Sequence, residues 1–326
     1  MTLFRLIAEP APVVRCTDLL TEDHPLRPYG DDSVSRARTS AWMRALVFIV
    51  VFFAAILLWT ATIYLTVGVV PLGDIPLAEL IGAVIAYTVL TFYMESRIWP
   101  YEIDYRRLMG LVKGIVLGVV LVSVCVAILA VAGSYSITGF NGHYSPWLAL
   151  LVTGACAGIA EEILYRGVLF RLVEEGLGTW GAVLVSALVF GGMHLVNPDA
   201  TLWGAIAIAV EAGILFAAVY VITRSLWWCI GLHFAWNVME GPVFGSIVSG
   251  TGVQDSWFIA SWNGPDILTG GAFGLEASIV PVVLLGILGT GLLVYASRNS
   301  LIVSPIWTRK KQLIRGPEAP VLDHAR

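Results

Sequence analysis

Three short clusters in this chain carry the residue types of acid–base chemistry. Glu161 and Glu162 adjoin each other and are followed by Arg166; His194 closes Phe190-Gly191-Gly192-Met193-His194; His233 and Asn237 stand four residues apart. A carboxylate and an imidazole can together activate a water, one taking its proton and the other orienting it. A second imidazole and a carboxamide one helical turn apart could donate hydrogen bonds to the oxyanion of a tetrahedral intermediate. The same trio, Glu161, His194 and His233, could instead hold Zn2+ with a position left open for water. No His-Glu-x-x-His motif is present, and no serine or cysteine elbow stands beside a histidine, so a protein nucleophile has little support. Nothing suggests binding of nucleotides or nucleic acid.

The surroundings of these residues are apolar. From Gly114 to Ala160 there is no Asp, Glu, Lys or Arg. One charged residue at the centre of an inserted helix costs roughly 3 kcal/mol, so three unpaired ones in six residues would cost about 9 kcal/mol. Glu162 and Arg166 offset part of this, being spaced i,i+4 with the acid first, the favourable order for a helical ion pair. Glu161 points about 100° away on the helix and needs a partner from another element. His194, His233 and Asn237 are the candidates, with Glu211 alone in an apolar stretch and Glu240 one turn beyond Trp236. A single intramembrane histidine reads as a hydrogen bond between helices. Glu, His, His and Asn on three separate spans is a coincidence that packing alone does not explain. Glu211 reads either as lining a polar cavity or as a helix–helix hydrogen bond.

The elements that must position them are membrane spans. Of 326 residues, 58% are hydrophobic and 13% charged, and the mean hydropathy is +0.83; charge in soluble domains runs nearer a quarter. An all-α, polytopic membrane protein with eight transmembrane helices is expected. The spans are 45–73, 77–94, 110–132, 147–175, 180–196, 202–222, 227–243 and 277–297. Segments 133–146 and 245–274 read as loops, and Gly176, Gly178 and Thr179 break the fourth span from the fifth. Residues 1–43 read as a polar cytoplasmic tail, 44–298 as the membrane domain with its catalytic core at about 145–245, and 299–326 as a basic cytoplasmic tail. All 19 Lys and Arg residues fall in the two tails, in the second-to-third and sixth-to-seventh connections or at the end of the fourth span (Arg166, Arg171), while the alternate connections hold none. By the positive-inside rule both termini are then cytoplasmic. The four cysteines show no CxxC spacing, against a disulfide framework or zinc knuckle. Arg-heavy, Ala/Gly/Val-rich composition points to a bacterial inner membrane.

The combination Glu161-Glu162-x-x-x-Arg166, Phe190-x-x-x-His194 and His233-x-x-x-Asn237 resembles the CPBP (Abi) family of intramembrane proteases. That family comprises the type II CAAX-prenyl endopeptidases and their bacterial relatives. The resemblance covers about 145–237 and implies an endopeptidase acting on a membrane-associated or lipidated peptide. It implies that Glu161 and His194 activate water, that His233 and Asn237 bind the oxyanion, and that Glu162 and Arg166 form a structural pair with Phe190 in support. It leaves open a metalloprotease or a metal-free glutamate mechanism. A proton-coupled transporter and a non-catalytic immunity or scaffold protein are the rival readings, but no inverted repeat is visible and no motif residue is missing. One geometric condition remains. At 1.5 Å per residue, His233 lies about 12 Å from the turn at Ser225, while Glu161 lies about 22 Å from Gly176 and His194 about 22 Å from Thr179. They meet only if the seventh span starts deep or tilts.

Overall fold

A computed structural model describes residues 39–71 and 74–315. Most of the expected N-terminal tail and the end of the basic tail, 316–326, lie outside the described residues. Uncharged stretches too long for any strand form helices, because in lipid only a helix satisfies every backbone group within its own segment. Among the described residues six helices are long and apolar enough to cross a membrane. They are α1 (Ala41–Val67), α2 (Asp74–Met94), α3 (Tyr105–Val131), the stretch Trp147–Val196, α6 (Leu202–Thr223) and α8 (Ile279–Arg298). This is the architecture of a multi-pass membrane protein.

The stretch Trp147–Val196 holds 50 residues, about 75 Å of helix against a hydrocarbon core of about 30 Å. It is divided at Gly178, where φ is 73° and ψ 178°, a conformation open to glycine. The division gives α4 (147–177) and α5 (179–193), as the glycines in the sequence suggest. Helix α7 (Leu226–Val238) is extended to Val243 by a π-helical turn. Its Trp, His, Asn and Glu residues lower its hydropathy, and it is not among the six. The expectation of eight spans therefore meets six helices that qualify by length and composition.

Two small departures concern the connections. The segments read as loops at 133–146 and 245–274 contain strands β1 (Tyr135–Phe140) and β2 (Phe258–Trp262), paired antiparallel from Tyr135 opposite Trp262 to Phe140 opposite Phe258. The fold is therefore helical with one two-stranded sheet. Cross-strand aromatic contacts account for the pairing, with Tyr135 and Trp262 ring centroids 4.8 Å apart and Phe140 and Phe258 6.2 Å apart. The basic tail is also more ordered than its composition suggests. Val303 exchanges backbone and hydroxyl hydrogen bonds with Thr179, and Arg309, on helix α9 (Ile306–Arg315), donates to the Glu175 carbonyl at 2.5 Å.

Five of the basic residues, Arg44, Arg97, Arg171, Arg224 and Arg309, are largely buried and paired at one end of the bundle, whereas Arg106 and Lys113 are exposed. Arg44 binds Glu95 at 2.6 Å and also Glu175; Arg171 binds Glu95 at 2.6 Å. Arg97 binds Glu102 through both guanidinium nitrogens, at 2.5 and 2.6 Å, and Arg224 binds Glu174 at 2.5 Å. Burial raises the Glu102 carboxyl, but the charge and hydrogen bonds of Arg97 outweigh it and bring it down to about 2. The sheet caps the opposite end.

Candidate active site

Close helix crossings bring the three clusters together. Where α3 meets α7, a Cβ on Gly114 would stand 2.2 Å from the Trp228 carbonyl oxygen, and one on Gly231 would stand 2.1 Å from that of Leu111. Small residues let backbones approach where lipid supplies no hydrophobic drive. Where α4 meets α7, Gly154 faces the Phe234 ring and Gly158 the Phe234 backbone. Ser225 and Leu226 have no exposed surface, so α7 begins packed among its neighbours, directly after the Arg224–Glu174 ion pair.

The result is a set of ionisable groups around His233. Its Nδ1 lies 2.9 Å from Glu162 Oε1, and the same oxygen accepts from Arg166 Nη1 at 2.9 Å. Glu162 and Arg166 are both fully buried. The expected i,i+4 pair is present, and it also holds a catalytic candidate, which the sequence reading did not foresee. The other His233 nitrogen, Nε2, lies 3.9 Å from Glu161 Oε2. Glu161 is the open member of the acid pair, with 24% of its side chain exposed. Its partner from another helix is thus His233, and Glu79 on α2 lies within charge–charge range.

His194 ends α5. The last turn tightens there, with the His194 N–H bonded to the carbonyls of Gly191 and Gly192. The Phe190 carbonyl is free to take His194 Nδ1 at 2.8 Å. A carbonyl only accepts, so Nδ1 carries a proton, and in the neutral tautomer with that proton Nε2 presents a lone pair. The Phe190 ring joins the two histidines, 4.9 Å from His194 and 6.2 Å from His233 between centroids. Its face also receives the Arg166 guanidinium at 4.8 Å, and Tyr165 packs edge-on at 4.8 Å. Asn237, one turn beyond His233, donates one amide hydrogen to the Thr153 carbonyl at 2.9 Å; its second amide hydrogen meets no acceptor among the described residues.

The structure brings Glu161, Glu162, Arg166, Phe190 and His233 into one cluster, with His194 against Phe190 and Asn237 at its edge. Glu211 stands apart. It is fully buried, and neither carboxylate oxygen has a hydrogen-bond partner among the described residues, so the expected helix–helix hydrogen bond is not formed. Three acids of the spans lie in or beside π-helical turns: Ile163–Phe170 follows Glu162, Ala209–Gly213 contains Glu211, and Met239–Val243 contains Glu240. Such turns recur at functional sites.

Sequence reasoning missed Glu276, in the single turn Leu275–Ala277 before α8. It accepts from Trp236 Nε1 at 3.2 Å and from Ser249 Oγ at 2.6 Å. Burial raises its carboxyl, and His194, the Ser249 hydroxyl, His233 and the Trp236 indole partly offset that rise. It has no motif, and its one signal is being the last acid before an uncharged span.

Zinc bound by Glu161, His194 and His233 would need their donor atoms to converge. Among the described residues no three His, Cys, Asp or Glu side chains do so. The arrangement as it stands does not make that donor set, and no step below passes through a metal. The three cysteines described, Cys125, Cys156 and Cys229, are buried and unpaired.

No curated protein matches the chain. Residues 143–239, the segment that carries all three motifs, match the family model described as type II CAAX prenyl endopeptidase Rce1-like, the protease family that the motifs resemble.

Proposed function

We propose that this protein is an intramembrane endopeptidase that hydrolyses a peptide bond of a membrane-associated or lipidated peptide without a protein nucleophile. One observation carries the reading: within the Rce1-like segment, open Glu161 faces His233 Nε2 at 3.9 Å while buried Glu162 holds Nδ1 of the same ring. Glu161 takes a proton from water as the oxygen attacks the scissile carbonyl carbon, and the Nε2 lone pair of His194 accepts the other water hydrogen. The carbonyl π electrons move to oxygen. That oxyanion receives Nε2–H of the His233 imidazolium, whose charge Glu162 stabilises, and the second amide hydrogen of Asn237. Collapse breaks the C–N bond, and the proton held on Glu161 passes to the leaving amine. An apolar groove of about 480 Å³ between α1 and α4–α5, lined by Phe48, Phe52, Leu164, Tyr165 and Val168 among others, suits a lipid chain carried by the substrate.

The frame of this reading is eight crossings with both termini cytoplasmic. It is supported by the alternation of basic residues, by the break at Gly178 and by the clustering of ion pairs at one end. The test is cleavage of a fluorogenic lipidated peptide in proteoliposomes. Glu161→Ala, His194→Ala and His233→Ala each lose cleavage while inserting and folding normally. Wild-type-like cleavage by Glu161→Ala overturns the mechanism.

A further inference from the structure

We propose that Glu276 is a positioning residue of this site, a third carboxylate that ties the His194-bearing segment to the His233-bearing helix. The inference rests on the proteolytic reading above and adds a residue that lies outside every motif and outside residues 143–239.

The tie can be followed bond by bond. Trp236 lies between His233 and Asn237 on α7, and its indole N–H donates to Glu276 Oε1 at 3.2 Å. The Ser249 hydroxyl donates to Glu276 Oε2 at 2.6 Å. The carbonyl of the same serine accepts from Asn197 Nδ2 at 2.7 Å, three residues beyond His194. The neighbouring Asp199 N–H donates to the Gly250 carbonyl at 3.0 Å. Ser249 serves both directions because its φ is 50°, a left-handed conformation that a non-glycine residue keeps only where its surroundings hold it. On the other side, Ala277 accepts from Trp203 Nε1 at 2.7 Å, fixing the Glu276 turn to the start of α6. Glu276 itself is 4% exposed, so these bonds are shielded from competing water. One carboxylate thus joins α7, the end of α5 and the loop at 249. Both imidazoles lie within charge–charge range of it and partly offset the rise that burial gives its carboxyl. Removing it would let the two rings drift relative to each other while leaving the substrate's own contacts in place.

The full-length protein in proteoliposomes is assayed with the lipidated peptide. Glu276→Gln keeps the size and an acceptor for Trp236 but removes the charge and one carboxylate acceptor. The expected result is a kcat at least about tenfold lower, KM within about twofold of wild type and a thermal midpoint close to it, because misplacement of catalytic groups acts on kcat. Imidazole 15N spectra of His194 and His233 should change in the same variant, which a merely structural role would not produce. Ser249→Ala breaks one arm of the tie and is expected to lower kcat by about threefold, with Glu276→Gln/Ser249→Ala no worse than Glu276→Gln alone. If Glu276→Gln fails to fold, Ser249→Ala carries the test by itself. Wild-type kcat in whichever of these variants fold overturns the assignment, as do unchanged imidazole spectra. Glu161→Ala separates the two claims. If it is inactive while Glu276→Gln cleaves normally, only the role of Glu276 falls; if it cleaves normally, the proteolytic reading falls.

Discussion

Removing the Glu162 carboxylate should separate two effects that share one oxygen. Oε1 of this fully buried residue accepts from Arg166 and from His233, both at 2.9 Å. Glu162→Ala therefore leaves a guanidinium without its counter-charge and frees an imidazole at the same time. Breaking a buried ion pair from one side costs roughly 3–5 kcal/mol. Arg166 keeps its hydrogen bond to the Ala212 carbonyl at 3.2 Å and the faces of Phe190 and Phe216 at 4.8 and 5.1 Å. The loss should therefore fall near the lower end, about 3 kcal/mol. Glu162→Ala/Arg166→Met then removes the orphaned charge with an apolar side chain of similar length. Most of the stability should return, whereas cleavage should not, because His233 Nδ1 still lacks its acceptor. Unfolding in detergent titrations gives the first quantity and peptide cleavage per folded molecule the second. The reasoning is refuted if Glu162→Ala is destabilised by less than about 1 kcal/mol, or if the double variant recovers cleavage together with stability.

Two further outcomes follow from the packing and the ion pairs. Gly114→Ala forces a Cβ to within 2.2 Å of the Trp228 carbonyl, so α3 and α7 must part. A loss at or beyond the upper end of the ~1–3 kcal/mol typical of overpacking is expected, with reduced cleavage as His233 leaves Glu161; Gly291→Ala, where nothing lies within 4 Å, is the neutral control. The Glu102 carboxyl is held at about 2, below its ordinary 4.5. A depressed acid stabilises the fold above its unfolded value and loses that contribution as pH falls through its folded one. Stability should therefore drop by roughly 3 kcal/mol between about pH 4.5 and pH 2. Unfolding monitored by tryptophan fluorescence should show that slope, and Arg97→Met should flatten it.

The parts of this architecture that are local in sequence were legible in it. The i,i+4 spacing of Glu162 and Arg166 is a property of one helix, and the pair forms. Gly176 and Gly178 signalled a break because a glycine can take a conformation that ends a helix, and Gly178 does so. Contacts between distant segments were not readable. Nothing near Glu161 says that Gly158 lets α7 come close enough for His233 to face it. Pairing of β1 with β2 joins strands more than a hundred residues apart, each too short to stand out from a loop. The bonds of Glu276 to Trp236 and Ser249 depend on how a turn folds back between α6 and α7. The arginines announced an orientation through their positions, but their carboxylate partners at 95, 102, 174 and 175 are a tertiary fact.

That ionic layer has a consequence for how the chain is made. Arg44 enters the bilayer at the head of the first helix, yet its acceptors at 95 and 175 emerge much later, and Glu174 waits for Arg224. Arg309 closes on the Glu175 carbonyl only after a further 134 residues have been added. During synthesis each of these groups must stay hydrated at the membrane surface until its counterpart arrives. Ribosome-bound nascent chains arrested before about residue 230 should therefore remain loosely associated and sensitive to added protease at this face. Extension past residue 309, with the chain released to fold, should seal it.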